Sequence, residues 1–433
     1  MFKEVITSFK IRINSILETA PLSILIMGLL NKGILLEFKS FLDKNCMKND
    51  SDLNEEKFII PVSFFYQFRK IKRNIDNFML ANEQLPTSHF LNLLAQFDHF
   101  YGSLLRCVFK TKPEILKSID KQVGISELYK YPNIEELREY FIEKEIDTVL
   151  RSSHVDQIEY LERKLNIKLT KELDIWPEFV EICERRNLLV HCDGTINQQY
   201  LNICNKYKCD IDKKELKEKL NVNIEYLQRS CFVLLEMGIK LAFVTWNKLD
   251  SSNGEDIADL TNKLIYAFIE DGHYKIAIVI AKFLLSNCSF KYSETIRLMI
   301  ILNLAQSYKW SKNEKEKSKV LEDIDWKAKS VDYQLCHSVL INDFDSALGL
   351  MKEISTNGRI EKDGYDNWPI FQEFRQQPEY SDIYLEIFNE SPSEIVKDAQ
   401  IIENEINFND LFKSRPEFKT IFDEFVKEIQ EKH

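Results

Sequence analysis

The stretch Trp176-Pro-Glu-Phe-Val-Glu-Ile-Cys-Glu-Arg-Arg-Asn-Leu-Leu-Val-His-Cys-Asp-Gly194 predicts one amphipathic helix with both of its ends marked. Asp174 and Pro177 are typical of a helix start, and Asp193 with Gly194 is typical of a helix end. Apolar residues recur at three- and four-residue steps and predict one packed stripe, formed by Phe179, Ile182, Cys183, Leu189 and Val190. Arg186 falls on the same stripe, and a guanidinium on an apolar face must find an anion or hydrogen-bond acceptors.

The composition extends this helical prediction to the whole chain. Average usage would place about 30 glycines and 22 prolines in a chain of this length, whereas these 433 residues contain 11 and 10. Because these two residues end helices and open tight turns, and 44% of the chain is hydrophobic, we expect long helices around packed cores. We predict an all-α protein, which excludes β-sandwiches, barrels, collagen-like chains and disordered chains. The length fits two or three domains.

Polar stretches divide the chain into three predicted segments. Residues 1–50 are an N-terminal helical segment, which ends in the loop-like run from Lys48 to Lys57. A helical domain follows over residues 51–249. The linker Asp250-Ser-Ser-Asn-Gly-Glu255 then opens a second helical domain over residues 250–433.

The last segment contains a repeat of a helix, a polar turn and a second helix. Its three copies are residues 268–277, 308–317 and 338–347, so equivalent positions lie 40 and then 30 residues apart. The pattern resembles tetratricopeptide repeats, whose period is about 34 residues and whose turn is followed by an aromatic and a small residue. The middle copy departs from it, with Glu314 and Lys317 at those positions. This TPR-like resemblance implies stacked helix pairs with a concave surface, and packed hairpins without a ligand are the alternative.

Charge is unevenly distributed along the chain. The net charge is −11, but residues 321–433 contain 12 Lys and Arg against 25 Asp and Glu, a net charge of −13. Residues 1–320 therefore carry +2. We expect nucleic acid to meet this near-neutral body, and the acidic third to face a partner or to repel RNA from other surfaces.

The nine cysteines predict neither a disulfide framework nor a metal site. Their number is odd, and most lie within apolar helical patterns, so we expect reduced core residues. Cys204 and Cys209, with Cys192 and His191 nearby, lack the repeated CxxC spacing of zinc sites. We therefore predict no metal and no cofactor.

The apolar run from Leu22 to Leu30 is the membrane candidate of the sequence. It is too short to span a bilayer, and the polar residues Asn-Lys-Gly follow it. Acidic residues precede it and no small-residue cleavage site follows, unlike in a signal peptide. We predict a buried helix in a cytoplasmic protein without a membrane partner.

Arg186, Asn187 and His191 gather at the end of the predicted helix. Such a group is able to cleave RNA without a metal, because the ribose 2′-OH attacks its own phosphate. A histidine takes or gives a proton near neutral pH, and an arginine holds the charge that develops on the phosphoryl oxygens. The alternative is a histidine that interacts with the helix dipole and an arginine that pairs with a glutamate of its own helix. The candidate glutamates are Glu178, Glu181 and Glu184.

The sequence Arg186-Asn-Leu-Leu-Val-His191 resembles the R-x4-H motif, with Asn after the Arg, of HEPN ribonucleases (higher eukaryotes and prokaryotes nucleotide-binding domains). Its surroundings are similar to those of HEPN proteins as well. They comprise Glu184-Arg185, Gly194, Tyr200-Leu201 and the upstream stretch Ser88-His-Phe-Leu-Asn-Leu-Leu-Ala-Gln-Phe-Asp-His-Phe-Tyr101, which resembles the long first helix of several such domains. The resemblance covers roughly residues 58–248.

This resemblance implies an all-α, HEPN-like bundle that forms a homodimer, in which two R-x4-H motifs face one composite site. It implies that Arg186 and His191 are catalytic and that Asn187 orients or contacts the phosphate. The implied products end in a 2′,3′-cyclic phosphate and a 5′-OH. The implied protein is a metal-independent endoribonuclease that acts on tRNA or mRNA, as a toxin or an abortive-infection effector against phage. An antitoxin or a phage-derived trigger at the C-terminal repeats fits this role, as does a nucleotidyl modification that keeps the toxin inactive.

Basic residues beside aromatic residues or near the motif are the predicted RNA contacts. The run Phe64-Phe-Tyr-Gln-Phe-Arg-Lys-Ile-Lys-Arg-Asn74 interleaves both types, and a solvated face of an amphipathic helix is its alternative explanation. The full predicted set is Arg69, Lys70, Lys72, Arg73, Arg185, Lys206 and Lys208. For the whole protein, the alternative to an enzyme is a non-catalytic helical scaffold that binds a protein partner through its C-terminal repeats.

Overall fold

The computed structural model of this chain is an all-α protein, as the composition predicts. It describes residues 1–49, 57–118, 130–170, 173–211 and 215–392, and about 78% of the chain is helical. Within these ranges the strands are Met47–Asn49 (β1) and Lys57–Ile59 (β2), which pair antiparallel. The predicted all-α class is therefore confirmed.

The described ranges contain fifteen α-helices, and short 3-10 helices lie between some of them. Capping side chains begin several of them: Asn133, Asn197 and Ser293 each accept a hydrogen bond from the backbone N–H three residues further on. In chain order the helices are α1 (Phe2–Asn45), α2 (Phe65–Thr111), α3 (Ile134–Leu150), α4 (His154–Leu165), α5 (Trp176–His191), α6 (Gln198–Tyr207), α7 (Ile224–Leu249), α8 (Gly254–Glu270), α9 (Tyr274–Ser286), α10 (Glu294–Trp310), α11 (Glu314–Glu322), α12 (Val331–Leu340), α13 (Phe344–Ile354), α14 (Lys362–Asn367) and α15 (Tyr380–Phe388).

The described chain divides into two compact units that do not follow chain order. Residues 1–8, 99–175 and 234–392 form one of them, the hairpin unit, and residues 9–98 and 176–233 form the other, the motif unit. Helices α1, α2 and α7 each contribute residues to both units. The sequence boundaries at residues 50 and 250 stay a prediction, and residues 393–433 of the predicted C-terminal domain lie outside the described residues.

Three helical hairpins follow one another in the hairpin unit: α8 with α9, α10 with α11, and α12 with α13. Each turn has one residue in the left-handed region, with φ between 58° and 74°. In each turn, a backbone N–H donates to the carbonyl five residues before it. These bonds run from His273 to Phe268 (2.7 Å), from Asn313 to Tyr308 (2.9 Å) and from Asp343 to Ser338 (2.9 Å). In all three segments of the sequence repeat, the first helix therefore ends in the same turn geometry.

The middle hairpin uses lysines to contact the third. Lys317 is buried, and its ammonium donates to the carbonyl of Leu340 at 3.2 Å while pairing with Glu314. Lys309 donates to the carbonyl of Val339 at 3.3 Å. Both cations meet the C-terminal end of α12, where helix carbonyls lack intrahelical partners and the helix dipole favours positive charge. The two residues that depart from the repeat pattern, Glu314 and Lys317, thus form a pair that serves this contact.

Gly254 begins α8 at a point with no room for a side chain. A Cβ there would overlap the backbone of Lys291. We expect Gly254→Ala to lower the free energy of unfolding by about 2 kcal/mol, because backbone atoms have to move. Urea unfolding followed by circular dichroism measures this change.

The matched control for this substitution is Gly349→Ala in α13, where no atom lies within 4 Å of the added Cβ. It should leave stability unchanged or raise it, since alanine favours helix over glycine. Equal effects of the two substitutions would contradict the close approach of Lys291 to α8.

The apolar run in α1 is more exposed than the sequence predicts. Leu22 and Ile26 are 54% and 42% exposed, so the prediction of a buried helix is wrong for these residues. Beyond this run, α1 contacts α2 through Phe38 and Phe68, whose ring centroids are 5.8 Å apart. Among the described helices, α1 alone is long and apolar enough to cross a membrane, with a mean hydropathy of 1.6 over 18 residues. Core helices and signal sequences have the same properties, so this finding assigns no location to the protein.

Candidate active site

The predicted motif helix exists as α5, and a glycine turn sets its end. After the helix the backbone passes through Asp193 and Gly194, whose φ angles are 47° and 75°. The N–H of Gly194 donates to the carbonyl of Leu188 at 3.1 Å. A Cβ on Gly194 would meet the carbonyl oxygen of Leu220 at 2.5 Å, so this turn needs glycine. The predicted helix and its predicted end are confirmed.

The buried face in the second half of α5 differs from the predicted one, whereas Phe179, Ile182 and Cys183 are buried as predicted. Arg185, and not Arg186, is the buried arginine, with 6% of its surface exposed. Arg186 is half-buried, and Val190, predicted on the packed stripe, is 48% exposed. Consecutive side chains of an α-helix point about 100° apart. The buried side of this half of the helix therefore contains Arg185 in place of Arg186. The predictions that Arg186 and Val190 lie on the packed stripe are therefore wrong.

Glu181 is the centre of a buried polar network that holds α5 in place. Its Oε1 accepts hydrogen bonds from Arg185 Nε at 2.8 Å and from the Tyr200 hydroxyl at 2.7 Å. Its Oε2 accepts from the Tyr226 hydroxyl at 2.6 Å. Arg185 also donates to the carbonyl of Asn221 at 3.3 Å, and its guanidinium lies 3.7 Å from the centre of the Tyr226 ring. These bonds connect α5 to α6 and to the start of α7, and they satisfy a buried charge pair.

The environment of the network raises the pKa values of its members. Burial, followed by the Glu181 carboxylate, raises the pKa of Tyr226 well above its ordinary value of 10.0. The same two causes raise the pKa of Tyr200. Burial by itself would lower the pKa of Arg185, but Tyr226 and Glu181 raise it overall. Arg185 is a cation paired inside the protein, so its predicted role as an RNA contact is wrong.

Two of the three glutamates offered as partners of Arg186 are engaged elsewhere. Glu178 forms a two-pronged ion pair with an arginine of α7, with both N–O distances 2.6 Å. Glu181 belongs to the network described above. Arg186 instead donates to Asn187 Oδ1 at 3.2 Å, and Asn187 donates to Glu184 Oε1 at 3.4 Å. Arg186 therefore keeps a partly accessible guanidinium with a neutral amide as its immediate neighbour.

The accessible polar side chains in the second half of α5 are those of the predicted motif. Among residues 184–191, Arg186 and Asn187 are half-buried and His191 is exposed. The other polar side chains of this half, Glu184 and Arg185, are buried. The three candidate catalytic side chains are thus the ones within reach of a ligand.

Arg186 and His191 do not share one face of α5. Five residues of α-helix rotate the chain by about 140° and advance it by about 7.5 Å. In the described part of the chain, no hydrogen bond or ion pair joins the two side chains. A single copy of α5 therefore does not direct both groups at one phosphate.

No protein-family profile, curated protein or solved structure matches this chain. The likeness to HEPN ribonucleases therefore depends on the motif and its flanks. Among those flanks, Arg185 and Tyr200 belong to the buried network, and Gly194 forms the turn that ends α5. These three positions have structural roles that apply with or without catalysis.

The remaining predicted RNA contacts are exposed and lie on two helices of the motif unit. Lys206 and Lys208 lie at the end of α6, which packs against α5. The basic run near the start of α2 lies 24 or more residues before Phe97, whose ring contacts Phe179 of α5 with centroids 5.3 Å apart. Beside this run, Tyr66 is 82% exposed, as stacking on a base requires. The members of the run are Arg69, Lys70, Lys72 and Arg73.

The cysteines near the motif form a small apolar cluster. Cys204 is buried, and Cys192 and Cys209 pack around it partly buried. A hydrogen bond with Cys209, followed by burial, raises the pKa of Cys204. Within the described ranges, no group of three His, Cys, Asp or Glu side chains is placed to hold a metal ion. Five cysteines are buried, as core residues should be, whereas Cys288 is exposed.

The set of residues that holds the site is not predicted from the sequence; its members are Glu181, Arg185, Tyr200 and Tyr226. The available signal was the spacing of Glu181 and Arg185, which are four residues apart and opposite in charge. Tyr226 follows Glu181 by 45 residues, and only the packing of α7 against α5 brings it to the carboxylate.

Proposed function

We propose that this protein is a metal-independent endoribonuclease of the HEPN type that acts as a homodimer. The observation that carries the proposal is the accessibility of Arg186, Asn187 and His191 on a half-helix whose other polar side chains are buried. The network around Glu181 supports it, because catalytic side chains act from a rigid element.

Each motif side chain has one role in the proposed reaction. His191 of one copy accepts the proton of the ribose 2′-OH as this oxygen attacks the adjacent phosphorus. The bond from phosphorus to the 5′ oxygen breaks, and His191 of the second copy donates a proton to the leaving oxygen. Arg186 stabilises the charge on the phosphoryl oxygens, and Asn187 orients Arg186 or the phosphate. The products end in a 2′,3′-cyclic phosphate and a 5′-OH.

A second copy of the chain supplies what one helix lacks in this proposal. Because Arg186 and His191 diverge on α5, a site with both groups combines α5 of two copies. Val190 is 48% exposed beside His191, and Leu189 is half-buried. These apolar side chains offer a surface that a second copy would cover. Lys206 and Lys208 would then contact RNA phosphates near the site, and the basic run of α2 would extend the contact.

Cleavage of labelled tRNA and mRNA by the purified full chain in EDTA tests the proposal. We expect cleavage without added metal, and 5′ product ends that polynucleotide kinase labels directly because they carry hydroxyl groups. Specific activity should rise with protein concentration, because two copies form one site. Products with 3′-OH ends, or cleavage that stops in EDTA, would contradict attack by the 2′-OH.

The biological role that fits this activity is growth arrest, as a toxin or as an abortive-infection effector against phage. The proposed location is the cytoplasm, where tRNA and mRNA are found. An antitoxin or a phage-derived trigger would act on the C-terminal hairpins. The negative charge of residues 321–433 would direct RNA away from those hairpins.

A second candidate function is that of an adaptor that binds a protein partner through TPR-like hairpins. The observation that favours it is the shared turn geometry of the three successive hairpins. Stacked helix pairs of this kind cover one another's apolar faces and present an extended surface to a partner. In this case the motif unit would serve dimerisation, and both functions are able to coexist in one chain.

A further inference from the structure

An open groove lies between the middle and third hairpins of the hairpin unit. Its volume is about 860 Å³, and its lining runs from the end of α11 to the last turns of α13. The less exposed part of the lining is apolar and aromatic. There the Trp326 indole stacks on the His337 ring, with centroids 5.2 Å apart and planes 16° apart. Leu321, Ile324 and Leu350 complete this floor, which has room for several side chains of a bound segment.

The rim of the groove is acidic, and its charges are not neutralised by the described part of the chain. Glu322, Asp325 and Glu353 are exposed at the rim, and none forms an ion pair with a described residue. Asp343 is also at the rim, where its side chain caps α13. Lys327 is the single cation among the described lining residues. The rim therefore carries an excess of negative charge.

Exposed carboxylates that form no ion pair with a described residue also lie outside the groove, at Asp323, Asp345 and Asp382. Other exposed glutamates of the hairpin unit have cationic partners: Glu294 pairs with Arg297 and Lys329, and Glu373 pairs with Lys309. The groove combines uncompensated carboxylates with an aromatic floor, so it differs from a generally acidic surface.

Lysine and arginine side chains match both features of the groove. Their aliphatic stems pack on apolar surface while their charged ends stay at a polar rim, and a cation binds favourably near an aromatic face. Burial lowers the pKa of His337, which favours the neutral form of its ring in the floor. RNA would bring phosphates against unpaired carboxylates, which disfavours it as the occupant.

We propose that this groove binds a segment of a partner protein that is rich in lysine and arginine. The inference rests on the second candidate function, because it names the binding site and the chemistry of the partner of an adaptor. It does not depend on RNA cleavage.

Fluorescence anisotropy with the full chain and a labelled peptide tests this proposal. The probe is a twelve-residue peptide that alternates lysine, leucine and arginine, and the control peptide has glutamate in place of each cation. We expect saturable binding of the cationic peptide at low ionic strength, which weakens as salt screens exposed charges. The glutamate peptide should not bind.

Charge variants test whether the peptide binds at the acidic rim. Together, Glu322→Gln, Asp325→Asn and Glu353→Gln should weaken binding roughly tenfold, because three exposed charge pairs are lost. The matched control changes the net charge equally at exposed carboxylates that neither line the groove nor neighbour a lining residue in sequence, and it should stay within roughly twofold of the wild type. It combines Glu135→Gln, Asp147→Asn and Asp382→Asn.

A variant that fills the groove tests whether the peptide binds at its floor. Gly349 lines the groove, and no atom lies within 4 Å of the position of an added Cβ. Gly349→Trp should therefore fill the groove and abolish binding without disturbing the packing of α13. Ser381→Trp, at an exposed position of α15 outside the lining, is the control and should bind the peptide as the wild type does.

The outcomes separate the groove from the two candidate functions. Peptide binding that survives both Gly349→Trp and the rim variants would overturn the groove as the site, and would leave an adaptor that binds elsewhere. An equal loss in the matched charge control would overturn it too, because net charge would then explain the effect. If the cationic peptide does not bind at all, the proposal is overturned. None of these binding results tests RNA cleavage, which has its own assay.

Discussion

His191→Ala should lower the rate of RNA cleavage by about a thousandfold, within the range expected for removal of a general acid or base. In the proposed dimer, this one substitution removes the group that accepts the 2′-OH proton and the group that protonates the 5′ oxygen. His191 is exposed at the end of α5, so the free energy of unfolding should stay within about 0.5 kcal/mol of the wild type. Single-turnover cleavage of labelled RNA measures the rate.

Arg186 variants separate charge from shape in the same assay. Arg186→Ala should slow cleavage by about a hundredfold, because charge on the phosphoryl oxygens loses its partner. Arg186→Lys keeps the charge but loses the planar pair of donors, so an intermediate rate is expected. Gln199→Ala, at an exposed position of α6, is the control and should cleave like the wild type.

Growth arrest on expression provides a second readout of the same assignment. The wild type should arrest growth, whereas His191→Ala and Arg186→Ala should each relieve the arrest. Wild-type cleavage by both variants, with unchanged circular dichroism spectra, would contradict the catalytic assignment and leave the adaptor function.

The features that the sequence predicts well depend on local chemistry. The motif helix ends where Asp193 and Gly194 provide left-handed backbone, which glycine adopts without strain. The hairpins of the repeat turn at Gly272, Lys312 and Asn342, each within the polar stretch between two helices. A low content of glycine and proline is sufficient to predict the all-α class, because the property concerns the whole chain.

The buried face of α5 could not be predicted in the same way, because tertiary contacts decide it. The apolar spacing favours Arg186 on the packed stripe, but a buried position for Arg185 is stabilised by Glu181 and Tyr226. The sequence shows the pair of opposite charges, and it does not show which aromatic residue of a distant helix lies over them. The exposure of Leu22 and Ile26 in α1 has the same origin, since hydropathy does not specify which helices cover a segment.

Glu181→Ala should lower the free energy of unfolding by about 3 to 5 kcal/mol, the range for removing one partner of a buried ion pair. The substitution leaves the Arg185 guanidinium buried without its counter-charge. The hydroxyls of Tyr200 and Tyr226 lose their acceptor at the same time, which adds the cost of unsatisfied buried donors. Urea unfolding followed by circular dichroism measures the change.

Glu178→Ala on the same helix is the matched control. It removes the ion pair with Arg229, whose side chain is 59% exposed while that of Glu178 is 35% exposed. Such a pair contributes little, so a loss under about 1 kcal/mol is expected. The double variant Glu181→Gln with Arg185→Met removes both charges and should be more stable than Glu181→Ala. Similar losses for Glu178→Ala and Glu181→Ala would contradict a buried network that holds α5.

The network also predicts the direction in which stability changes with pH. In the unfolded chain, tyrosines lose their protons near pH 10.0, whereas in the folded protein burial and Glu181 hold the protons of Tyr200 and Tyr226 to higher pH. The contribution of these two raised pKa values to the free energy of unfolding is complete below pH 10.0. Above it the folded state binds more protons than the unfolded state, so the free energy of unfolding falls as pH rises.

Glu181→Ala tests the part of this pH dependence that belongs to the carboxylate. The substitution removes the second cause of the raised pKa values and leaves burial, so the decline of stability that begins near pH 10.0 should level off at a lower pH than in the wild type. Other buried tyrosines, such as Tyr101, contribute equally to both proteins. The difference between the pH values at which the two declines level off therefore isolates Glu181, and the same levelling pH in both proteins would mean that its charge does not act on the two hydroxyls.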